Sequence, residues 1–181
     1  MPAGFVNANS KEELLALFGN RKQEAAAAYD ANGNTEFAKM LAYVNTDKVW
    51  AEPARFTARR FTAKGAPAYL YLFSYVSASM QQWMRFGASH ASEISYVFDN
   101  LVDRNNIVFT EQDKQVAKLM NGYWINFAKT GNPNGKGLPE WPLYNEKINE
   151  VFEFRQDGSA GAIEDLRKNR LDVIEKTFEK K

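Results

Sequence analysis

The sequence predicts an α/β fold, mostly helical, with about two strands at residues 68–75 and 150–155. Three observations carry this. Most apolar residues recur at the three- and four-residue spacing of helix faces. One run, Ala68 to Tyr75 (AYLYLFSY), is aromatic and apolar with little polar relief, the pattern of a strand buried on both faces. Another, Glu150 to Arg155 (EVFEFR), alternates polar and apolar like a strand near a sheet edge.

The elements follow in chain order. Ser10 with Glu13 forms a capping box ahead of Leu14, Leu15, Leu17 and Phe18, and Gly19-Asn20 stops that short helix. A second short helix spans about 21–29. After a turn at Asn32 to Thr35, Phe37, Met40, Leu41 and Val44 mark a third. Another helical stretch runs from Asp47 to about Lys64, with Pro53 tolerated near its first turn and Gly65 ending it. Beyond the strand at 68–75, Thr110 or its neighbour caps a long helix whose face carries Val116, Leu119, Met120, Tyr123, Trp124 and Phe127 as core. Gly131 stops it before Asn132-Pro133. A charged helix from about Ala162 to Phe178 follows the strand at 150–155. The chain reads as one segment, 1–181, with a helical part at 1–64 and the remaining loop, strand and helix part at 65–181.

Composition narrows the function classes. With 45% apolar and 25% charged residues, the chain is an ordinary globular protein, not a disordered or collagen-like one. Twenty-three basic residues against twenty-two acidic leave a net charge of +1, so no excess field draws nucleic acid or an anionic membrane. No apolar run approaches the ~20 residues of a membrane span, and the start has neither a basic nor an apolar leader region, so a soluble chain is expected and the compartment stays open. No cysteine and a single histidine exclude a disulfide framework, a thiolate zinc site and a histidine-rich metal site. No metal and no cofactor are expected.

The segment from Gly87 through His90, Glu93 and Tyr96 to Phe98 (GASHASEISYVF) resembles the histidine motif of type-B carboxylesterases, the cholinesterase-like family that includes para-nitrobenzyl esterases. There a histidine is followed three residues later by glutamate and then by an aromatic-Val-Phe run. Gly65 to Tyr71 with Phe73 resembles the strand leading to that histidine, and Trp124 to Asn134 (WINFAKTGNPN) and Trp141 to Tyr144 (WPLY) resemble two further family stretches in the same order. Where many relatives have glycine after the Val-Phe pair, this chain has Asp99, which touches turn geometry more than chemistry.

The resemblance implies the C-terminal part of an α/β-hydrolase fold and a serine esterase acting on a small-molecule carboxylic ester through a Ser-acid-His triad. His90 matches the triad histidine, general base toward the serine and then general acid toward the leaving alcohol. Glu93 matches a supporting residue behind the site. The serine and the acid have no counterpart in this chain, so the resemblance implies a fragment, inert alone, whose partner is a missing N-terminal part of the same polypeptide. Self-association of the fragment through uncovered surface is a further expectation. The alternative is a non-catalytic cholinesterase-like interaction module. Ser92 takes no assigned role. Ser89, beside the histidine, and Ser159, in Asp157 to Gly161, sit in sequences that imitate a nucleophile elbow but lack its context. Trp83, Met84 and Phe86 either line an acyl or alcohol pocket or anchor the loop on the core.

Overall fold

The computed structural model describes residues 4–103 and 107–178. These fall into two compact units, one within Met1–Ala66, Asn145–Asn149 and Asp165–Lys181, the other within Pro67–Tyr144 and Glu150–Glu164.

The first unit is helical. Its helices are α1 (Lys11–Ala16), α2 (Lys22–Tyr29), α3 (Phe37–Thr46) and α4 (Glu52–Thr62), with a π-helical turn at Asp47–Ala51 carrying α3 into α4, and later in the chain the helix Lys168–Phe178. The Ser10 hydroxyl accepts the Glu13 N–H at 3.2 Å, but the Glu13 carboxylate takes the Asn9 N–H at 2.8 Å, so the reciprocal half of the expected capping box is displaced by one residue. Leu14, Phe18, Met40, Val44, Val173 and Ile174 form the core. Two of the buried acids in this unit have carboxyls raised by burial. Glu52 bonds Arg55 Nε at 2.5 Å and an Arg59 guanidinium nitrogen at 2.8 Å, and burial pushes its carboxyl up to about 7 against their pull. Asp47, on the π-helical turn, accepts the Tyr29 hydroxyl at 2.9 Å and faces Arg170 at 3.1 Å. Burial raises it to about 6, against Arg170 and Tyr29.

The second unit carries the sheet: β1 (Tyr71–Phe73), the short α5 (Ile94–Val97), the long α6 (Glu111–Thr130), β2 (Glu150–Phe154) and β3 (Ala160–Glu164), with α7 denoting the Lys168–Phe178 helix of the first unit. Strand order is β1-β2-β3, with β1 parallel to β2 and β2 antiparallel to β3. The register pairs Tyr71 with Phe152 and Phe154 with Ala160.

Three expectations change here. The described residues hold three strands, not two, because β3 occupies the start of the expected helix at 162–178, which begins only at Lys168. The cause is a hairpin: the Arg155 N–H bonds Ser159 O at 2.8 Å and the Gly158 N–H bonds Arg155 O at 3.0 Å, with Gly158 at φ +85°, a three-residue loop whose last residue must be left-handed. Only Tyr71–Phe73 of the expected strand at 68–75 is regular, though the ladder extends on both sides through Phe152 N–H to Leu70 O and Ser74 N–H to Phe154 O. Among the described strands β2 is paired on both sides, where its alternation pointed to a place near a sheet edge, and β1 is paired on one side by β2. Alternation misled because Val151, Phe152 and Phe154 of β2 are all buried while every β1 residue is only half-buried.

The long helix matches its reading. Thr110 and Asp113 form a full capping box, and Gly131 closes the helix at φ +75°. Val116, Ala117, Met120 and Tyr123 are buried against β2 and Trp141, whose ring stacks on Phe152 at 4.7 Å. Phe127, expected in the core, is 50% exposed and touches Tyr69 edge-on at 6.0 Å.

Candidate functional site

His90 lies between β1 and α5, in a run of turns that starts at the helical turn Ala78–Met80. The run is held by backbone bonds of short span: Trp83 and Met84 N–H to Met80 O, Gly87 N–H to Met84 O, and Ser92 N–H to Ser89 O at 3.1 Å. The last of these makes His90 and Ala91 the central pair of a four-residue turn. Ala91 has φ +68°, a region that glycine enters freely and a residue with a Cβ enters at a cost. The turn turns the His90 side chain out to solvent, where it is exposed.

Glu93 is half-buried, and the Tyr71 hydroxyl of β1 reaches its Oε1 at 3.4 Å, a long bond that ties the end of the turn to the sheet. Burial first, and then the Glu93 carboxylate, push the Tyr71 phenol up to about 12. After α5 the backbone reverses at Asp99, φ +49°, with Asn100 N–H bonded to Ser95 O at 2.9 Å. This is a Schellman closure, and Asp99 holds the left-handed position that glycine occupies at least cost.

Of the three candidate pocket residues, Trp83 is 59% exposed, and Phe86 is half-buried with the Arg85 guanidinium over its ring at 5.6 Å. Met84 is half-buried and lines a cavity of about 120 Å³. Ser92 lines the same cavity, and its Oγ is buried with no hydrogen-bond partner. Such a hydroxyl costs about 1–3 kcal/mol when left unsatisfied.

Asp113 was not singled out from the sequence, although Thr110 three residues before it carries the spacing of a capping box. It is fully buried and accepts four bonds: Tyr75 hydroxyl at 2.9 Å, Tyr96 hydroxyl at 3.1 Å, Thr110 hydroxyl at 2.7 Å and Thr110 N–H at 2.6 Å. Burial alone would raise its carboxyl, but the Thr110 and Tyr75 bonds outweigh it and hold the group below the usual carboxylate range. Tyr75 and Tyr96 also line the cavity, so Asp113 fixes two of its walls. Ser89 is exposed, and Ser159 sits on the β2–β3 hairpin with its N–H and hydroxyl both bonded to Asp157. Among the described residues, no group of three or more His, Cys, Asp or Glu is placed to hold a metal ion, and no helix is long and apolar enough to cross a membrane.

A family model described as the carboxylesterase family matches residues 6–174. The chain belongs to the carboxylesterase family. A human protein named cocaine esterase is 33% identical over 143 residues, which make up 74% of this chain and 24% of that protein. Mouse carboxylesterase 3B is 36% identical over 127 residues, 65% of this chain and 21% of its own length. The chain thus spans about a fifth to a quarter of the length of these relatives. Among solved structures, a carboxylesterase of Geobacillus stearothermophilus is 28% identical with a TM-score of 0.65, covering 90% of this chain and 33% of that one. A PNB esterase superposes with a TM-score of 0.69 over 97% of this chain and 35% of its own, at 24% identity, a likeness of fold. These neighbours are α/β-hydrolase esterases, and the helical chain with its small sheet is part of that fold.

Proposed function

We propose that this carboxylesterase chain supplies the general base of a serine esterase that hydrolyses small carboxylic esters, and that His90 is that base. The observation that carries the reading is an exposed imidazole on a turn whose far end, at Glu93, is tied to β1 by Tyr71, within a span matched by the carboxylesterase model. An imidazole can take a proton from a serine hydroxyl and return it to the departing alcohol. Glu93 supports the turn from behind. The nucleophilic serine, the acid that orients His90 and the oxyanion donors lie in residues outside this sequence, which is why the 181-residue chain is inert alone. Its natural partner is the rest of an esterase fold, which would also cover the open edge of β1; uncovered, that edge favours self-association.

Two measurements test this. The 181-residue chain should hydrolyse p-nitrophenyl acetate no faster than free imidazole and should resist a fluorophosphonate probe, whereas stoichiometric labelling of Ser89 or Ser159 would overturn the placement of the nucleophile elsewhere. In a longer chain that contains these residues and turns over the ester, His90→Ala should cut kcat by roughly 10⁴-fold, because the triad acts as a unit. Near-normal turnover in that variant would end the assignment of His90.

A further inference from the structure

The cavity beside the His90 turn has a composition that selects its occupant. Its volume is about 120 Å³, somewhat below the ~150 Å³ of an apolar cavity that takes benzene. Four aromatic rings, Phe73, Tyr75, Tyr96 and Phe109, contribute to its walls, together with the flexible thioethers of Met80 and Met84 and the aliphatic Val76 and Ile107. Rings and methionine sulfurs both favour an aromatic guest, through edge-to-face and sulfur–ring contacts. The hydroxyls of Tyr75 and Tyr96 are engaged by Asp113, and the Ser77 hydroxyl is within bonding distance of Ser79 at 3.2 Å. Ser92 differs from these, since its Oγ is buried and has no partner. Three serine hydroxyls, those of Ser77, Ser92 and Ser95, interrupt walls that are otherwise apolar. A guest with one hydrogen-bonding group on a ring-sized apolar body satisfies both features at once.

We infer that this cavity is a binding site for a small neutral phenol-class molecule, one ring carrying one hydroxyl, anchored by the Ser92 hydroxyl between the rings of β1 and α5. The inference does not rest on the ester-hydrolase reading, and its test uses no turnover. Ser92 is two residues from His90 in the same run of turns, so a guest at Ser92 also braces the backbone that presents the imidazole.

The test is a titration of the 181-residue chain, with its methionine methyls labelled with carbon-13, by phenol and in parallel by benzene. The Met80 and Met84 methyl resonances should shift saturably with phenol, with a Kd on the order of 1 mM. Ser92→Ala should weaken phenol about tenfold and leave benzene unchanged, since only phenol loses a hydrogen bond. Met84→Trp, which fills the cavity, should abolish both; if that variant fails to fold by near-ultraviolet circular dichroism, Val76→Phe on another wall serves the same purpose. The inference is overturned by non-saturating shifts, by equal phenol affinity in Ser92→Ala, or by a folded cavity-filled variant that still binds.

Discussion

Replacing Asp113 with alanine strands four donors at once. The Tyr75 and Tyr96 hydroxyls are on residues only 3% and 4% exposed, and the Thr110 hydroxyl and N–H lose the carboxylate that closes the first turn of α6. Each unsatisfied buried donor costs about 1–3 kcal/mol; with the Thr110 groups partly rescued by water, the total should be about 4 kcal/mol, a large share of a net stability of ~5–15 kcal/mol. Tyr96→Phe removes one donor and leaves the carboxylate three, so it should cost about 1.5 kcal/mol. The pH dependence fixes the mechanism. Because the folded Asp113 carboxyl lies below its unfolded value of 3.8, its stabilisation is complete above that value and is lost as pH falls through the folded one. Urea unfolding followed by tryptophan fluorescence reads this core directly, since Trp124 and Trp141 belong to it. The gap between wild type and Asp113→Ala should be full at pH 7 and should shrink below about pH 4. A loss under about 1 kcal/mol at neutral pH, or a gap that persists unchanged in acid, would refute the reasoning.

Ala91→Gly and Asp99→Gly each relieve a left-handed residue and should raise stability by about 0.5 kcal/mol, the strain relief of ~1–2 kcal/mol being offset by the added freedom of unfolded glycine; a drop in the urea midpoint for either would contradict the geometry. Asp47 has the opposite pH sign to Asp113. Its folded value is raised from 3.8 to about 6, so the native state holds the proton more tightly and stability falls as pH rises between those values. Asp47→Asn should therefore flatten the stability profile over that interval by about 2–3 kcal/mol, leaving the similar but higher contribution of Glu52, and an unchanged slope would exclude Asp47 as its source. Gly135→Ala places a Cβ 2.4 Å from Asn126 Nδ2, which now donates to Pro133 O at 3.1 Å; loss of that bond should cost about 1–2 kcal/mol, measured by thermal unfolding.

The long helix was legible because its signals are local: a threonine cap, a periodic apolar face and a glycine stop all lie within the helix or beside it. Phe127 escaped that logic, since periodicity places it on the buried side and only the tertiary arrangement decides that the core ends before it. The third strand was hidden for a different reason. Ala160 to Glu164 has little strand propensity of its own and is held in β form by pairing with β2, while the Asp157-Gly158 turn that announces the hairpin draws notice in the sequence only as an imitation of a nucleophile elbow. Likewise the alternation of 150–155 pointed to an edge, yet Val151, Phe152 and Phe154 are all buried, because alternation reports the pleat without reporting how many neighbours a strand has. His90 and Glu93 were legible through family resemblance and not through chemistry, as a lone histidine carries no geometry. The Asp113 cluster and the cavity draw on the continuous stretch from Phe73 to Asp113, and they form only because the turn run folds α5 and the start of α6 back onto β1, a reversal that residue periodicity does not report.

The sheet also imposes an order of assembly. β2 and β3 are joined by a three-residue loop and can pair on the microsecond scale of an isolated hairpin. β1 pairs with β2 in parallel across about 80 residues of intervening chain. Closing a loop of that length costs about 3 kcal/mol more entropy than closing the hairpin. The hairpin therefore forms first, and β1 has no template until Phe152 and Phe154 are already in place. During synthesis from the N-terminus, the turns that carry His90 leave the ribosome long before the strand that will anchor β1, so the presentation of the imidazole is among the last features of this unit to mature.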